Sequence, residues 1–234
     1  MKRYFKWMLL LLISIALLGS CKKQYYFDTG QSIARFNGNM LQYFEANPEL
    51  FDTLLLVIKM AKLENYFKDS SLTFFAPADS SIMKTYYYIN QNFRAAGMDT
   101  LQRLEDLRPE FWRNNLMMYM FQGVRGIEDF PQLDFSNLYS FPGEYANSVS
   151  GQVMNIGTVF SDARGLKYKG YRRLYLNYVP SEASPLQNWV QGPVASCNIQ
   201  PSNGMVHVLI YYSHYFGFDP YQAWLQAKYY SSVH

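Results

Sequence analysis

Few residues in this chain have the type and spacing for chemistry. There are three histidines, at 207, 214 and 234, and none has a carboxylate or thiol at metal-ligand spacing. His207 and His214 are seven positions apart. If one strand ran through both they would face opposite sides, and His207 reads as a strand residue satisfied by a nearby backbone or hydroxyl group. The acidic pairs Glu105-Asp106 and Glu128-Asp129 read as helix starts or solvated groups rather than as a facing acid and base. Serine-rich stretches such as "EASPL" read as loops, with no nucleophile elbow of the G-x-S-x-G kind. Of the two cysteines, Cys197 in "GPVASCNIQP" reads as a small apolar strand residue. The chain is expected to be non-catalytic, with no cofactor apart from a covalent lipid on Cys21.

That lipid is inferred from the first residues. Lys2, Arg3 and Lys6 precede an apolar run from Trp7 to Leu18, too short to span a bilayer, and small residues then lead to Cys21. "LGSC" resembles the bacterial lipobox, in which the cysteine becomes the acylated first residue. Each buried methylene contributes about 0.8 kcal/mol, and stable anchoring takes more than one chain. Residues 1–20 therefore read as a lipoprotein signal peptide. Their removal takes three basic side chains and no acid, leaving 18 of each sign. A formally neutral mature chain has little electrostatic motive for nucleic acid. With Lys22 after the cysteine, the expected address is the outer membrane, lipid-anchored, at the cell surface or on the periplasmic face.

The positioning elements can be read from local signals. Residues 21–38 are polar, aromatic and glycine-dotted and read as a tether. Asn39 is placed to cap a short helix ending at Asn47, which in turn caps a helix opened by Pro48. Leu50, Leu54, Val57, Ile58 and Ala61 keep helical spacing. Leu72 and Phe74 belong to a strand that Pro77 must end, and Asp79 or Ser80 is placed to cap the helix that follows through Met83 to Ile89. Leu101, Leu104 and Leu107 suggest a short extra helix, and residues 138–199 a β-rich half. "RRLYLNYV" and "GMVHVLIYY" are its clearest strands. After them Asp219 and Pro220 open a last short helix. This aromatic tail can either pack back on the domain or present Trp224 to a partner.

Two segments resemble the signatures of fasciclin-like domains. "TFFAPADSSI" carries Thr73, Phe75, Ala76, Pro77 and Asp79 at the first, with Ile82 where the family has Phe; "NGMVHV" carries Asn203, Gly204, Val206, His207 and Val208 at the second. The resemblance implies an α+β fold, a fasciclin-like β-sandwich with helices packed at one end, as a single domain over residues 39–212, with 213–234 as tail. It also implies that the two segments lie side by side. Where the family carries a Tyr-His pair implicated in adhesion, this chain has Tyr119 followed by Met120. The resemblance further suggests an accessory or interaction subunit of a nutrient-uptake complex, with an outer-membrane transporter or other lipoproteins as partners. The alternative is a cell-surface adhesin or carbohydrate-binding module that offers exposed aromatics to a glycan. Tyrosines number 21, and Tyr221 and Trp224 in the tail have the least reason to be core, which makes them the candidate partner contacts.

Overall fold

The computed structural model describes residues 34–181 and 184–231; the signal segment, Cys21 and tether residues up to 33 lie outside them. Among the described residues are nine strands and six α-helices in a mixed α/β arrangement. The strands are β1 (Ala34–Arg35), β2 (Leu72–Ala76), β3 (Met120–Gln122), β4 (Gln132–Leu133), β5 (Glu144–Asn147), β6 (Val153–Phe160), β7 (Arg172–Tyr178), β8 (Val190–Gln200) and β9 (Gly204–Leu209). They form one curled, open path in the order β3-β2-β9-β8-β7-β6-β4, with β1 added to β8 and β5 to β6.

The central ladder joins the two signature segments. β2 and β9 pair in parallel, with Thr73 opposite Met205, Phe75 opposite His207 and Ala76 opposite Val208. Both strands are almost wholly buried, as parallel strands covered on both faces must be. β8 then turns the sheet. Its residues Tyr175-facing Pro193 through Tyr178-facing Val190 pair with β7, whereas Val194 to Ile199 pair with β9 through two register shifts. Asn198, at φ +59°, marks the irregular end.

The helices are α1 (Met40–Glu45), α2 (Pro48–Met60), α3 (Glu64–Asp69), α4 (Asp79–Ala95), α5 (Pro109–Leu116) and α6 (Pro220–Tyr230). Phe44 of α1 meets Phe51 of α2, Phe67 of α3 and Phe74 of β2, and Phe67 also meets Phe74, in edge-to-face pairs with centroids 4.9 to 6.0 Å apart. Such pairs add about 0.5–1.5 kcal/mol each beyond area burial. Asn39 caps α1 as expected, exchanging two bonds of 2.9 Å with Gln42.

Other caps depart from expectation. Asn47 makes no cap to α2; its amide donates to the Tyr43 carbonyl at 2.7 Å, closing the end of α1 instead. β2 stops at Ala76, before Pro77, and α4 begins at Asp79 behind Ala78, which has no capping side chain. The Asp79 carboxylate does not cap its own helix. It accepts from the amides of Thr53 (3.1 Å) and Leu54 (2.9 Å) in α2. The reason is a break in α2 at Phe51 (φ −139°, ψ 17°), which restarts the helix and frees those amides. Nor does a single strand run to His214: β9 ends at Leu209 and a turn over Ile210–Ser213 follows. The Leu101–Leu107 helix is one 3₁₀ turn at Leu104–Asp106.

After that turn the chain packs against the helices. Phe216, Phe218, Ala223 and Ala227 are buried, α6 lies on α4 and α5, and the Arg108 amide donates to the Tyr230 carbonyl at 2.9 Å. Asp219 caps α6 through Tyr221 and Gln222, at 2.9 and 3.0 Å.

Candidate functional site

Three signature residues, Thr73, Phe75 and His207, meet at one segment, residues 123–130, between β3 and β4. Thr73 donates its hydroxyl to the Gly123 carbonyl (2.8 Å) and accepts the Arg125 amide (2.9 Å). His207 Nδ1 accepts the Asn198 amide at 3.3 Å, so Nε2 carries the proton and donates to the Arg125 carbonyl at 3.0 Å. The ring lies between Phe75 and Phe130, and burial pulls its pKa down to about 4. It is neutral at physiological pH, and neither nitrogen is free. Asn198 completes the hold: its carbonyl accepts the Ile127 amide (2.8 Å) and its amide donates to Glu128 (3.0 Å).

Arg125, positioned in this way, pairs with Glu144 on β5, donates to the Asp129 carbonyl at 2.7 Å and lies 4.2 Å from the Phe130 ring centroid. Both arms of its guanidinium are engaged. Glu128 and Asp129 sit at a 3₁₀ start, where Asp129 accepts the Gly126 amide at 2.8 Å; Asp106 does the same for Gln102 and Arg103. In each pair the aspartate is the cap, and Glu128 accepts from Asn198.

Asn203 joins the sheet to two helices. Its carbonyl accepts the Met40 amide at 2.8 Å, and its amide donates to the carbonyls of Phe67 (3.0 Å) and Ser70 (3.2 Å). Gly204 follows where only a hydrogen fits, since a Cβ there would strike the Leu72 carbonyl and the Met40 methyl. Asp79, half-buried, has its carboxyl pKa raised to about 7 by desolvation and by Asp52 beside it. Ala76 and Pro77 are buried at the strand end.

A second polar chain was not visible in the sequence. Ser213 Oγ donates to the Ile210 carbonyl (2.6 Å) and so accepts from His214 Nδ1 (3.0 Å); His214 Nε2 accepts the Tyr119 hydroxyl (3.1 Å), which accepts the Gly217 amide (2.9 Å). The serine–histidine pair is wired opposite to a nucleophile and its base, because the imidazole donates to the hydroxyl. Both rings are buried, with His214 pulled down to about 3 by desolvation and Lys84 and the Tyr119 phenol pushed up by burial. Tyr119 stacks between Phe216 and Phe218. It anchors the segment after β9, and only the 95-residue separation hid this partnership.

Cys197 is half-buried beside an open cleft of about 490 Å³ that Arg35, Phe36 and Tyr43 also line, and desolvation raises its thiol pKa. Among the described residues no three His, Cys, Asp or Glu side chains converge as metal ligands, and no helix is long and apolar enough to cross a membrane. Cys21 lies outside the described residues.

The two tail aromatics differ. Trp224 is half-buried against the core, with Lys228 5.0 Å from its ring centroid, whereas Tyr221 is 53% exposed. Tyr221, Leu225 (38%) and Tyr229 (75%) recur every four residues and form an outward stripe on α6.

No family model matches the chain, and no curated protein does. Among solved structures it is similar to a FAS1 domain pair from the insect cell adhesion molecule fasciclin I, at 11% identity and a TM-score of 0.37. The alignment covers 77% of this chain and 46% of that one, so the chain spans less than half the length of that structure.

Proposed function

We propose that this chain is a lipid-anchored, fasciclin-like interaction subunit of the bacterial outer membrane, without catalysis of its own. On this reading Cys21 carries the acyl chains and the tether is shorter than residues 21–38, because Ala34 and Arg35 already pair with β8, where the fasciclin-like sandwich begins. The partner is an outer-membrane transporter or a second lipoprotein. One observation carries the reading: the polar signature side chains Thr73, Asp79, Asn203 and His207 are engaged in internal bonds, while an aromatic stripe on α6 faces outward. Signature residues that hold a scaffold leave the surface for recognition. Exposed tyrosines carry a large share of binding energy at protein interfaces, with anchors costing about 2 kcal/mol or more on truncation.

Two experiments test it. Cys21→Ala should abolish incorporation of labelled fatty acid, and persistent labelling would refute the anchor. Detergent-solubilised tagged protein should recover an envelope protein, and Tyr221→Ala/Tyr229→Ala with unchanged melting temperature should weaken that recovery. A chain that purifies alone at native expression yet binds a polysaccharide would transfer the assignment to a glycan-binding module.

A further inference from the structure

The loop between β6 and β7 concentrates charge that the rest of the chain balances. Residues 21–234 carry 18 basic and 18 acidic side chains, yet 161–173, "SDARGLKYKGYRR", holds five cations against one acid. Arg164, Lys167, Lys169 and Arg172 are exposed and Arg173 is half-exposed. Apolar side chains stand among them: Leu166 is 62% exposed and Tyr171 67%.

This tip is a built structure. Ala163 and Leu166 exchange both backbone bonds, at 3.0 and 2.9 Å, around Arg164 and Gly165, each at positive φ (51° and 77°). That is the type I′ turn pattern, and it sets Arg164 and Gly165 at the apex with the exposed Leu166 directly beside them. Tyr168 locks the base: its amide donates to Asp162 (3.0 Å) and its hydroxyl to Asp134 (2.7 Å), while its ring meets Phe141. The adjoining loop so joined carries Tyr139, 95% exposed.

We infer that this tip is a contact surface for the phosphate-bearing headgroups of an anionic bilayer. Clustered Lys and Arg supply attraction to such a surface, and exposed Tyr suits the headgroup level. Leu166 favours a bilayer over a soluble polyanion, since only the bilayer offers hydrocarbon beneath the charges.

The inference is independent of acylation, and its test excludes acyl chains. The mature chain, residues 21–234 carrying Cys21→Ala and lacking the basic head and apolar run of residues 1–20, is sedimented with vesicles of phosphatidylcholine alone and of phosphatidylcholine with phosphatidylglycerol in equal parts. Binding should favour the mixed vesicles and fall with added salt. Lys167→Gln/Lys169→Gln should weaken it about thirtyfold, and Leu166→Ser about tenfold without changing the salt dependence. Equal binding to both vesicles, an indifferent lysine variant, or retention on an anionic polysaccharide with no vesicle binding would overturn it. Failure here leaves the fatty-acid labelling of wild-type Cys21 as a separate result.

Discussion

The sealed imidazole of His207 makes acid sensitivity a quantitative consequence of the fold. Its folded pKa is about 4, against 6.5 for a free imidazole, so on acidification the unfolded chain takes up the proton first. The stability it contributes is complete above about 6.5 and drains as the pH falls toward 4. At pH 5 the unfolded imidazole is about 1.5 pH units below its midpoint while the folded one is still largely neutral. At about 1.36 kcal/mol per unit, the loss is about 2 kcal/mol. Total stabilities of domains are about 5–15 kcal/mol, so this is a measurable part. His214, at about 3, acts in the same direction. Asp79 opposes both, since a carboxyl held at about 7 favours the folded state as pH falls, with a weight reduced by its partial exposure. A difference experiment removes these shared contributions. Urea unfolding of the wild type and of His207→Gln is followed from pH 8 to pH 5. The wild-type advantage should shrink by about 2 kcal/mol over that range. Parallel curves, with a constant difference, would refute the claim that His207 is buried neutral between Asn198 and Arg125.

Three further outcomes follow from named contacts. Asn203→Ala should cost about 2–4 kcal/mol in urea unfolding, because it strands the Met40 amide and two carbonyls, and Asn203→Asp should be no milder since it points negative charge at those carbonyls. Asp79→Ala should cost about 1–2 kcal/mol at pH 5, below its raised pKa, through the amides of Thr53 and Leu54, whereas Ser80→Ala, whose hydroxyl has no partner, should change stability by less than about 0.5 kcal/mol; equal effects would contradict the cross-helix cap. Gly204→Ala should lower the melting temperature by an amount equivalent to about 1–3 kcal/mol, because the Leu72 carbonyl belongs to the central ladder and has little freedom to move.

Local punctuation was readable and long-range partnership was not. Pro77 had to end β2, and Asp219 with Pro220 had to open α6, because a missing amide hydrogen and a short acceptor act within a few residues. The side-by-side placement of "TFFAP" and "NGMVHV" came from resemblance, and the parallel register agrees with it. Asp79 serves α2 rather than its own helix because its partner depends on a break at Phe51, a tertiary event without a local signal. Asn47 departs from its local signal in a similar way, since its side chain closes the helix behind it. The Tyr119–His214 pair joins elements 95 residues apart, and the cationic tip is plain in composition but gains its apex only from a turn at Arg164 and Gly165.

Asn203 seals the amide of Met40 across 163 positions, and its neighbours complete the parallel ladder with β2. Parallel pairing between such distant segments cannot form until nearly the whole chain is present. During synthesis the first helices and β2 therefore wait, with their ladder edge open, until residues 204–209 of β9 have emerged. Rapid proteolysis of any product truncated before residue 203 is the cellular counterpart of that architecture.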